Sequence, residues 1–341
     1  ILIIGLHVDD LLMACSHEAL RAKFLSDCPY KIKDLGSAKR LLGGDITQDL
    51  AAGTVGLSLD TYISAAGMRF SVTDFNHADF PTTVSLAEAC RRSDADANGV
   101  SDAEHAAVID EYYPLTGVCL FIATFARPDV AVYAHYGTTR FHRCGYVHLR
   151  FMRRVMAYLV NTKHMGPTWH RSETFHAVGI YAPGDDPADG RLHGIGDSDF
   201  KLPRSTGGSL IMMCMAAVAW RVRVHRRPSL SPGESEFYAL TDTISETVTT
   251  RNLVEEFGYI FPSATQVFSD ARVARILAEH GASSARTRFV DRRYHFARFY
   301  EDGGIIKVQP VKGVRNTANG LTKFTFGTEF KRSRAYMLGV L

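Results

Sequence analysis

The chain opens on apolar positions, Ile1-Leu2-Ile3-Ile4-Gly5-Leu6-His7-Val8, interrupted by Asp9-Asp10 and resumed at Leu11-Leu12-Met13. Two short β-prone runs flanking an acidic pair predict a tight hairpin with both carboxylates at its tip, and residues 11–15 form its return strand. Apolar residues at helical spacing then predict a helix over 18–25. Residues 31–36 and 39–46 read as two short strands joined by a turn. A second short helix is expected over 57–70, followed by a turn at Pro81. Residues 91–104 are polar and poor in large apolar groups, the best linker in the chain. Residues 113–125, Arg127-Pro128-Asp129-Val130 and a helix over 147–159 follow, and 182–191 read as a second loop at a domain entrance. No internal repeat is present.

From Leu192 the pattern changes. Gly194-Ile195-Gly196-Asp197-Ser198-Asp199-Phe200 is an acidic strand, and residues 210–218 form an apolar one. Residues 219–226 alternate, with Trp220, Val222 and Val224 on one face and Arg221, Arg223 and His225 on the other. Pro232-Gly233 precedes a helix whose apolar face is Phe237, Leu240, Ile244 and Val248, with Gly258 as its stop. A strand over 267–270 ends in an acid and leads into a helix over 273–279. Strands followed by a helix, a strand and a helix give a mixed α/β architecture.

Composition narrows this reading. At 341 residues, 46% hydrophobic and 22% charged, the chain has the length of two or three domains with an ample core. No run approaches the eighteen or so apolar residues of a membrane span. The apolar start lacks a basic flank and ends in two acids, unlike a signal peptide. It also begins at Ile, inside what reads as a structural unit, so a fragment is expected. The net charge of +3 hides an asymmetry. Residues 191–341 carry 22 Lys/Arg against 14 Asp/Glu, or +8, and residues 1–190 carry −5. Basic character gathered in one part suggests a polyanionic partner. The six cysteines show no Cys-x-x-Cys, which suits free thiols in a reducing compartment. His142, Cys144 and His148 form a local soft-ligand cluster whose spacing matches no standard zinc site.

Two sets of acids carry candidate chemistry. Asp9 and Asp10 repel one another unless a counter-charge joins them, and hard Mg²⁺ takes oxygen ligands and bridges to phosphates. A turn that simply uses Asp is the plainer reading of these ten residues. Asp197, Glu234 at a helix head and Asp270 at a strand end lie about 36 residues apart. Elements in this order bring their ends together, and three converging carboxylates would hold two divalent ions for phosphodiester hydrolysis. Each acid taken singly has an ordinary explanation, since helix starts favour acids through the dipole.

Motifs in register along residues 3–325 extend this reading. His7-Val8-Asp9-Asp10 is similar to a Tyr-Val-Asp-Asp turn, and Asp34-Leu35-Gly36 and Leu42-Gly43-Gly44 to the Asp-Leu-Gly and Leu-Gly segments that follow it. Ser58 with Tyr62-Ile63 is similar to Ser-Gln-x-x-Tyr-Ile, Arg127-Pro128-Asp129-Val130 to Arg-Pro-Asp-Ile, and Tyr158-Leu159 to Tyr-Leu. Gly196-Asp197-Ser198-Asp199-Phe200 is similar to Ser-Asp-Ala-Asp-Trp, and Arg204-Ser205-Thr206-Gly207-Gly208 to Lys-Ser-Thr-Ser-Gly. Ser231-Pro232-Gly233-Glu234-Ser235-Glu236-Phe237 matches Ser-Ser-Thr-Glu-Ala-Glu-Tyr. Arg286-Thr287-Arg288-Phe289-Val290-Asp291, Tyr294-His295-Phe296 and Asn316-Thr317-Ala318-Asn319-Gly320-Leu321-Thr322-Lys323 continue the series. The whole run resembles the reverse transcriptase and ribonuclease H portion of copia-type LTR retrotransposon polyproteins.

The resemblance implies an α/β (α+β) chain in four parts. Residues 1–90 would be the C-terminal part of a palm and thumb, 91–190 a linker and connection region, 191–325 a ribonuclease H-like mixed-sheet domain and 326–341 a tail. It implies that Asp9 and Asp10 are polymerase metal ligands and that Asp197, Glu234 and Asp270 hold the nuclease metals. Glu234 is preferred to Glu236 as the first acid of the family's pair. Mg²⁺ or Mn²⁺, two per site, would be the cofactor. The third polymerase Asp and the fingers belong upstream of Ile1 in this family, so no polymerisation is expected from these residues. Asn319 stands where a fourth carboxylate is expected; as a metal ligand it brings an amide oxygen without charge, so the second ion would bind more weakly, and Ala271 replaces an Asn.

The expected partners are an RNA–DNA hybrid, a template–primer duplex and the rest of the polyprotein, in an intracellular setting (a cytoplasmic particle or the nucleus) and without a membrane. Arg221, Arg223, Arg226, Arg227, Arg286, Arg288, Arg292 and Arg293 are candidates for the hybrid's phosphates. Trp220 reads as core, and His295 as a satisfied, partly buried histidine. The competing readings are an inactive relic that still binds nucleic acid, favoured by Asn319, and an unrelated α/β domain with structural acids.

Overall fold

The computed structural model describes residues 1–72, 78–96, 99–171, 190–201, 203–271 and 291–340, the last without the side chains of Asp291, Arg292 and Tyr294. Strands β1 (Leu2–His7) and β2 (Asp10–Cys15) pair antiparallel with His7 opposite Asp10, so Val8 and Asp9 form a two-residue loop. Val8 takes φ +55, an uncommon conformation for a β-branched residue. Helix α1 (Glu18–Asp27) follows, and none of residues 1–43 is buried. The strand expected at 31–36 does not form. Asp34 Oδ1 accepts the Gly36 N–H at 2.8 Å, and Gly36 sits at φ +74, which turns the chain.

A small antiparallel sheet comes next, β3 (Arg40–Leu41), β4 (Gly44–Asp49), β5 (Thr54–Ser58) and the distant β6 (Thr168–His170). Helices α2 (Asp60–Arg69), α3 (Val84–Ala95), α4 (Asp102–Phe125), α5 (Ala131–Thr138) and α6 (Tyr146–Asn161) pack on one another, α2 also on β4, with a 3-10 turn at Pro128–Val130. The predicted linker at 91–104 is partly helix. Leu86, Ala87 and Cys90 give α3 a buried face that carries it to Ala95, and the Ser101 hydroxyl caps α4 by accepting the Glu104 N–H at 3.1 Å. Helix α4 is long and apolar enough to cross a membrane, by length and composition only. Its Val108, Tyr112, Leu115, Cys119 and Ile122 are buried in the protein body.

The second half carries a five-stranded sheet ordered β11-β10-β7-β8-β9, from β7 (His193–Asp199), β8 (Thr206–Met213), β9 (Ala216–Val224), β10 (Thr265–Ser269) and β11 (Ile306–Pro310). β7 pairs antiparallel with β8 and parallel with β10, which in turn pairs parallel with β11. The single strand predicted at 210–218 is interrupted by a hairpin. Cys214 and Met215 turn it at φ +52 and +73, with Met213 opposite Ala216. Helices α7 (Pro232–Glu256), α8 (Asp291–Asp302), α9 (Asn319–Thr322) and α10 (Gly327–Leu338) complete the fold. The helix expected at 273–279 and most of the loop expected at 182–191 lie outside the described residues.

The sheet is covered on both faces. Phe237, Leu240, Ile244 and Val248 of α7 meet Val267, Ile306 and Val308, with Ala297 of α8. Gly194 and Gly196 let α7 approach β7 closely: a Cβ at either would stand 2.3 Å from Thr247 Oγ1 or 2.7 Å from Thr243 Oγ1. On the other face Ile195, Leu210, Met212, Ala217 and Phe268 join Tyr133, Leu321, Phe330 and Met337 in a core continuous with α2, α4 and α6. That continuity passes through the expected boundary at residue 190. Residues 327–338, expected as a tail, are the helix that closes this core, with Phe330, Tyr336, Met337 and Leu338 buried.

Candidate active site

Three elements deliver three carboxylates to one point. β7 supplies Asp197, α7 supplies Glu236, and Asp270 follows the last residue of β10. One oxygen of each lies within 4.8 Å of the others, the arrangement of a metal-binding group. Asp197 is buried, and Glu236 and Asp270 are partly so. Burial, then the charges of Asp197 and Asp270, push the Glu236 carboxyl up to about 8 against the opposing pull of Lys323 and a backbone hydrogen bond at Ser198. Burial also raises Asp197, opposed by Lys323 and Thr322. Crowded, desolvated acids of this kind seek a cation.

Glu234, the expected ligand, is not in this cluster. It is the third residue of α7, where the Ser231 hydroxyl accepts its N–H at 3.2 Å. Its carboxylate turns back to accept the Leu230 N–H at 2.6 Å and the Tyr238 hydroxyl at 2.5 Å. Glu234 therefore folds back on the chain that enters the helix, an acid in the first turn where the dipole favours it. Two residues of helix rotate a side chain by about 200°, so only one of the two acids can face β7. Glu236 shares a stripe with Ala239 and Thr243, the residues packed on Gly196. That helical spacing was the available signal for choosing it.

The cluster has a neutral and basic border. Asn316, buried at 3% exposure, donates from Nδ2 to Asp270 Oδ1 and to the Gly196 carbonyl, both at 3.1 Å. The Thr322 hydroxyl donates to Asp197 Oδ2. Lys323 Nζ lies 3.2 Å from the same oxygen and 3.4 Å from Oδ1. Asn319 donates to the Gly313 carbonyl at 2.9 Å and accepts from Lys323 Nζ at 3.0 Å. Asn316, Thr322 and Lys323 stand in the sequence motif without a role of their own. Hard oxygen donors suit Mg²⁺ or Mn²⁺, and Asp197, Glu236 and Asp270 fit one such ion.

Elsewhere the expected residues separate. Asp9 and Asp10 are exposed at the hairpin tip, and among the described residues no third ligand joins them in a metal-binding group. Cys144 Sγ contacts His105 Nδ1 at 3.4 Å, and His148 is bound to the Gly145 N–H and to Asp94, so His142, Cys144 and His148 do not gather round a metal. Arg223, Arg226, Arg227 and Arg293 line a cavity of about 240 Å³ with His225, Tyr238 and Asp242. Arg293 is anchored there, donating to Asp242 at 2.8 Å under the Tyr238 ring. Arg221 pairs instead with Glu246 at 2.5 Å. Arg286 and Arg288, and the side chain of Arg292, lie outside the described residues. Trp220 packs against the core and donates to the Ala123 carbonyl at 2.7 Å, while His295 is exposed on α8.

No family model matches the chain. It is 24% identical over 336 residues to a retrovirus-related Pol polyprotein from transposon TNT 1-94 of Nicotiana tabacum, covering 97% of this chain and 24% of that polyprotein. It is 27% identical over 248 residues to a putative transposon Ty5-1 protein of Saccharomyces cerevisiae, covering 71% of this chain and 73% of that protein. The chain thus spans about a quarter of the tobacco polyprotein. A solved structure, the N-terminal ribonuclease H domain of a Mycobacterium tuberculosis protein fused to maltose-binding protein, superposes with a TM-score of 0.31. Identity to it is 14%, over 38% of this chain and 89% of that one. Along most of its length the chain is thus similar to retrotransposon proteins, a Pol polyprotein among them.

Proposed function

We propose that this chain is a copia-type element's ribonuclease H region, which hydrolyses the RNA strand of an RNA–DNA hybrid at Asp197, Glu236 and Asp270. The observation that carries this reading is the meeting of three carboxylates, from a buried strand, a helix and a strand end, within 4.8 Å. A divalent ion, Mg²⁺ or Mn²⁺, supplies Lewis-acid stabilisation and a nucleophilic water at neutral pH when bound. The residues of the chain do the rest. Asn316 fixes Asp270, Thr322 fixes Asp197, and α7 on the glycines of β7 fixes Glu236. Glu236, raised to about 8, gives up its proton when a cation takes its place.

Arg223, Arg226, Arg227 and Arg293, on the +8 half of the chain, bind the phosphates of the hybrid and position it without reading sequence. The Asp9–Asp10 hairpin corresponds in this reading to the polymerase metal turn, which serves a template–primer duplex only with a further carboxylate. The remaining polyprotein and an intracellular setting follow from the same reading.

The test is cleavage of a labelled RNA–DNA hybrid by the purified chain with Mg²⁺ and with Mn²⁺, beside Asp197→Asn. Metal-dependent cleavage lost in Asp197→Asn supports the reading. A folded chain that binds hybrid and cleaves with neither metal refutes it, in favour of the nucleic-acid-binding relic that Asn319 favours.

A further inference from the structure

We infer that the carboxylate cluster holds a single divalent ion, and that the Lys323 ammonium is the resident second cation of the site. The inference rests on the reading of Asp197, Glu236 and Asp270 as metal ligands. It departs from the expectation of two ions, because the residues at the second position do not fit one.

A second ion would need a shared carboxylate and an anionic ligand beyond the three. Asp197 is the buried acid of the cluster, and the side on which it would share an oxygen with a second ion is the side that Lys323 Nζ occupies. Oδ2 accepts the Thr322 hydroxyl and faces Lys323 Nζ at 3.2 Å, and Oδ1 lies 3.4 Å from the same ammonium. The oxygen donors at this border, Asn316, Asn319 and Thr322, are all neutral, and Asn319 is the one held against Lys323. Its amide is oriented by donating to the Gly313 carbonyl at 2.9 Å, which turns Oδ1 to Lys323 Nζ at 3.0 Å. The ammonium therefore sits between the two oxygens that a second ion would have to bridge.

Charge gives the same count. Three carboxylates and one ammonium carry a formal −2, which one divalent ion cancels. A second divalent ion beside Lys323 would leave a formal +2, and like charges a few ångströms apart in a partly buried site repel by several kcal/mol. Backbone geometry holds Lys323 in place: α9 is a single turn, and the Lys323 N–H closes it on the Asn319 carbonyl at 2.9 Å. Lys323 is thus a positioning residue that acts through Asp197, with no contact to the scissile bond required.

The test counts ions on the whole chain. The metal-stripped protein is titrated with Mn²⁺ by calorimetry and by electron paramagnetic resonance, with circular dichroism confirming that each variant is folded. The expected result is one Mn²⁺ in the native chain and in Lys323→Arg, and two in the double variant Asn319→Asp with Lys323→Met. Lys323→Met alone is expected to bind its first Mn²⁺ several-fold more tightly, as the repelling charge is gone. Two ions in the native chain, or one in the double variant, overturn the inference and leave the metal reading standing. No bound Mn²⁺ in the native chain overturns both.

Discussion

Arg127 lays its guanidinium on the Asp129 carboxylate through two hydrogen bonds, Nε to Oδ1 and Nη2 to Oδ2, each 2.8 Å. Both side chains are buried, and neither is left unpaired. Arg127 also donates to the Thr162 carbonyl and hydroxyl at 2.9 Å, and Tyr158 donates its hydroxyl to Asp129 at 2.6 Å. The ends of α4 and α6 are tied together by this fork. Removing one partner leaves an uncompensated buried charge, a loss of about 3–5 kcal/mol. Arg127→Met is expected to lower the unfolding free energy measured in urea by that amount, and Arg127→Lys to recover little of it, because an ammonium cannot form the fork.

The same pair sets an acid limit. Burial would raise the Asp129 carboxyl, but the Arg127 charge and the hydrogen bonds from Arg127 and Tyr158 outweigh it and hold it below the usual aspartate range. Its contribution to stability is complete above the ordinary aspartate pKa and is lost as pH falls through the folded value. Acid unfolding of Asp129→Asn, followed by circular dichroism, is expected to lack that component.

Glu236 has the opposite sign. Its folded pKa of about 8 exceeds the ordinary 4.5, so the folded chain holds this proton more tightly than the unfolded chain does. The stability it contributes is complete below about pH 4.5 and is lost as pH rises through 8. Without metal, the thermal midpoint is expected to fall between pH 5 and 8.5, and Glu236→Gln to flatten that fall. Added Mn²⁺ is expected to raise the midpoint at pH 8.5 in the native chain more than in the variant.

The basic cavity makes a prediction in salt. Each arginine that neutralises a phosphate releases a counterion, so log K falls against log salt with a slope of about −0.9 per contact. Arg223→Ala and Arg226→Ala are each expected to reduce the slope for hybrid binding by about 0.9 and to weaken all sequences alike. Arg221→Ala, whose partner is Glu246, is expected to change it less. Fluorescence anisotropy from 50 to 300 mM salt measures this.

Much of this arrangement is legible in the sequence, and the failures have physical causes. The opening hairpin, the strand bearing Asp197, the strand that leads to Asp270 and the helix after Pro232 follow from period and punctuation. The hairpin at Cys214–Met215 is hidden because neither residue carries the Asn or Gly that such turns favour. Arg91–Ala95 look like linker because a helix end exposed to water is as polar as a loop. The motif points to Glu234, the first acid of its pair, because it carries no record of which way each acid at a helix head faces. Only the stripe running from Glu236 through Ala239 to Thr243, set against the small residues of β7, distinguishes them. Lys323 lies far along the chain from Asp197, a contact that no local pattern records.

The most direct measurement compares Glu236→Gln with Glu234→Gln in cleavage of an RNA–DNA hybrid with Mn²⁺. Both changes remove one charge and preserve shape, and only Glu236 belongs to the carboxylate cluster. Glu234→Gln is expected to keep cleavage within a few-fold of the native chain while losing up to about 1 kcal/mol of stability with its charge at the helix start. Glu236→Gln is expected to lose cleavage by at least a hundredfold with its fold intact. Equal cleavage by Glu236→Gln and the native chain, or loss confined to a folded Glu234→Gln, would contradict the account.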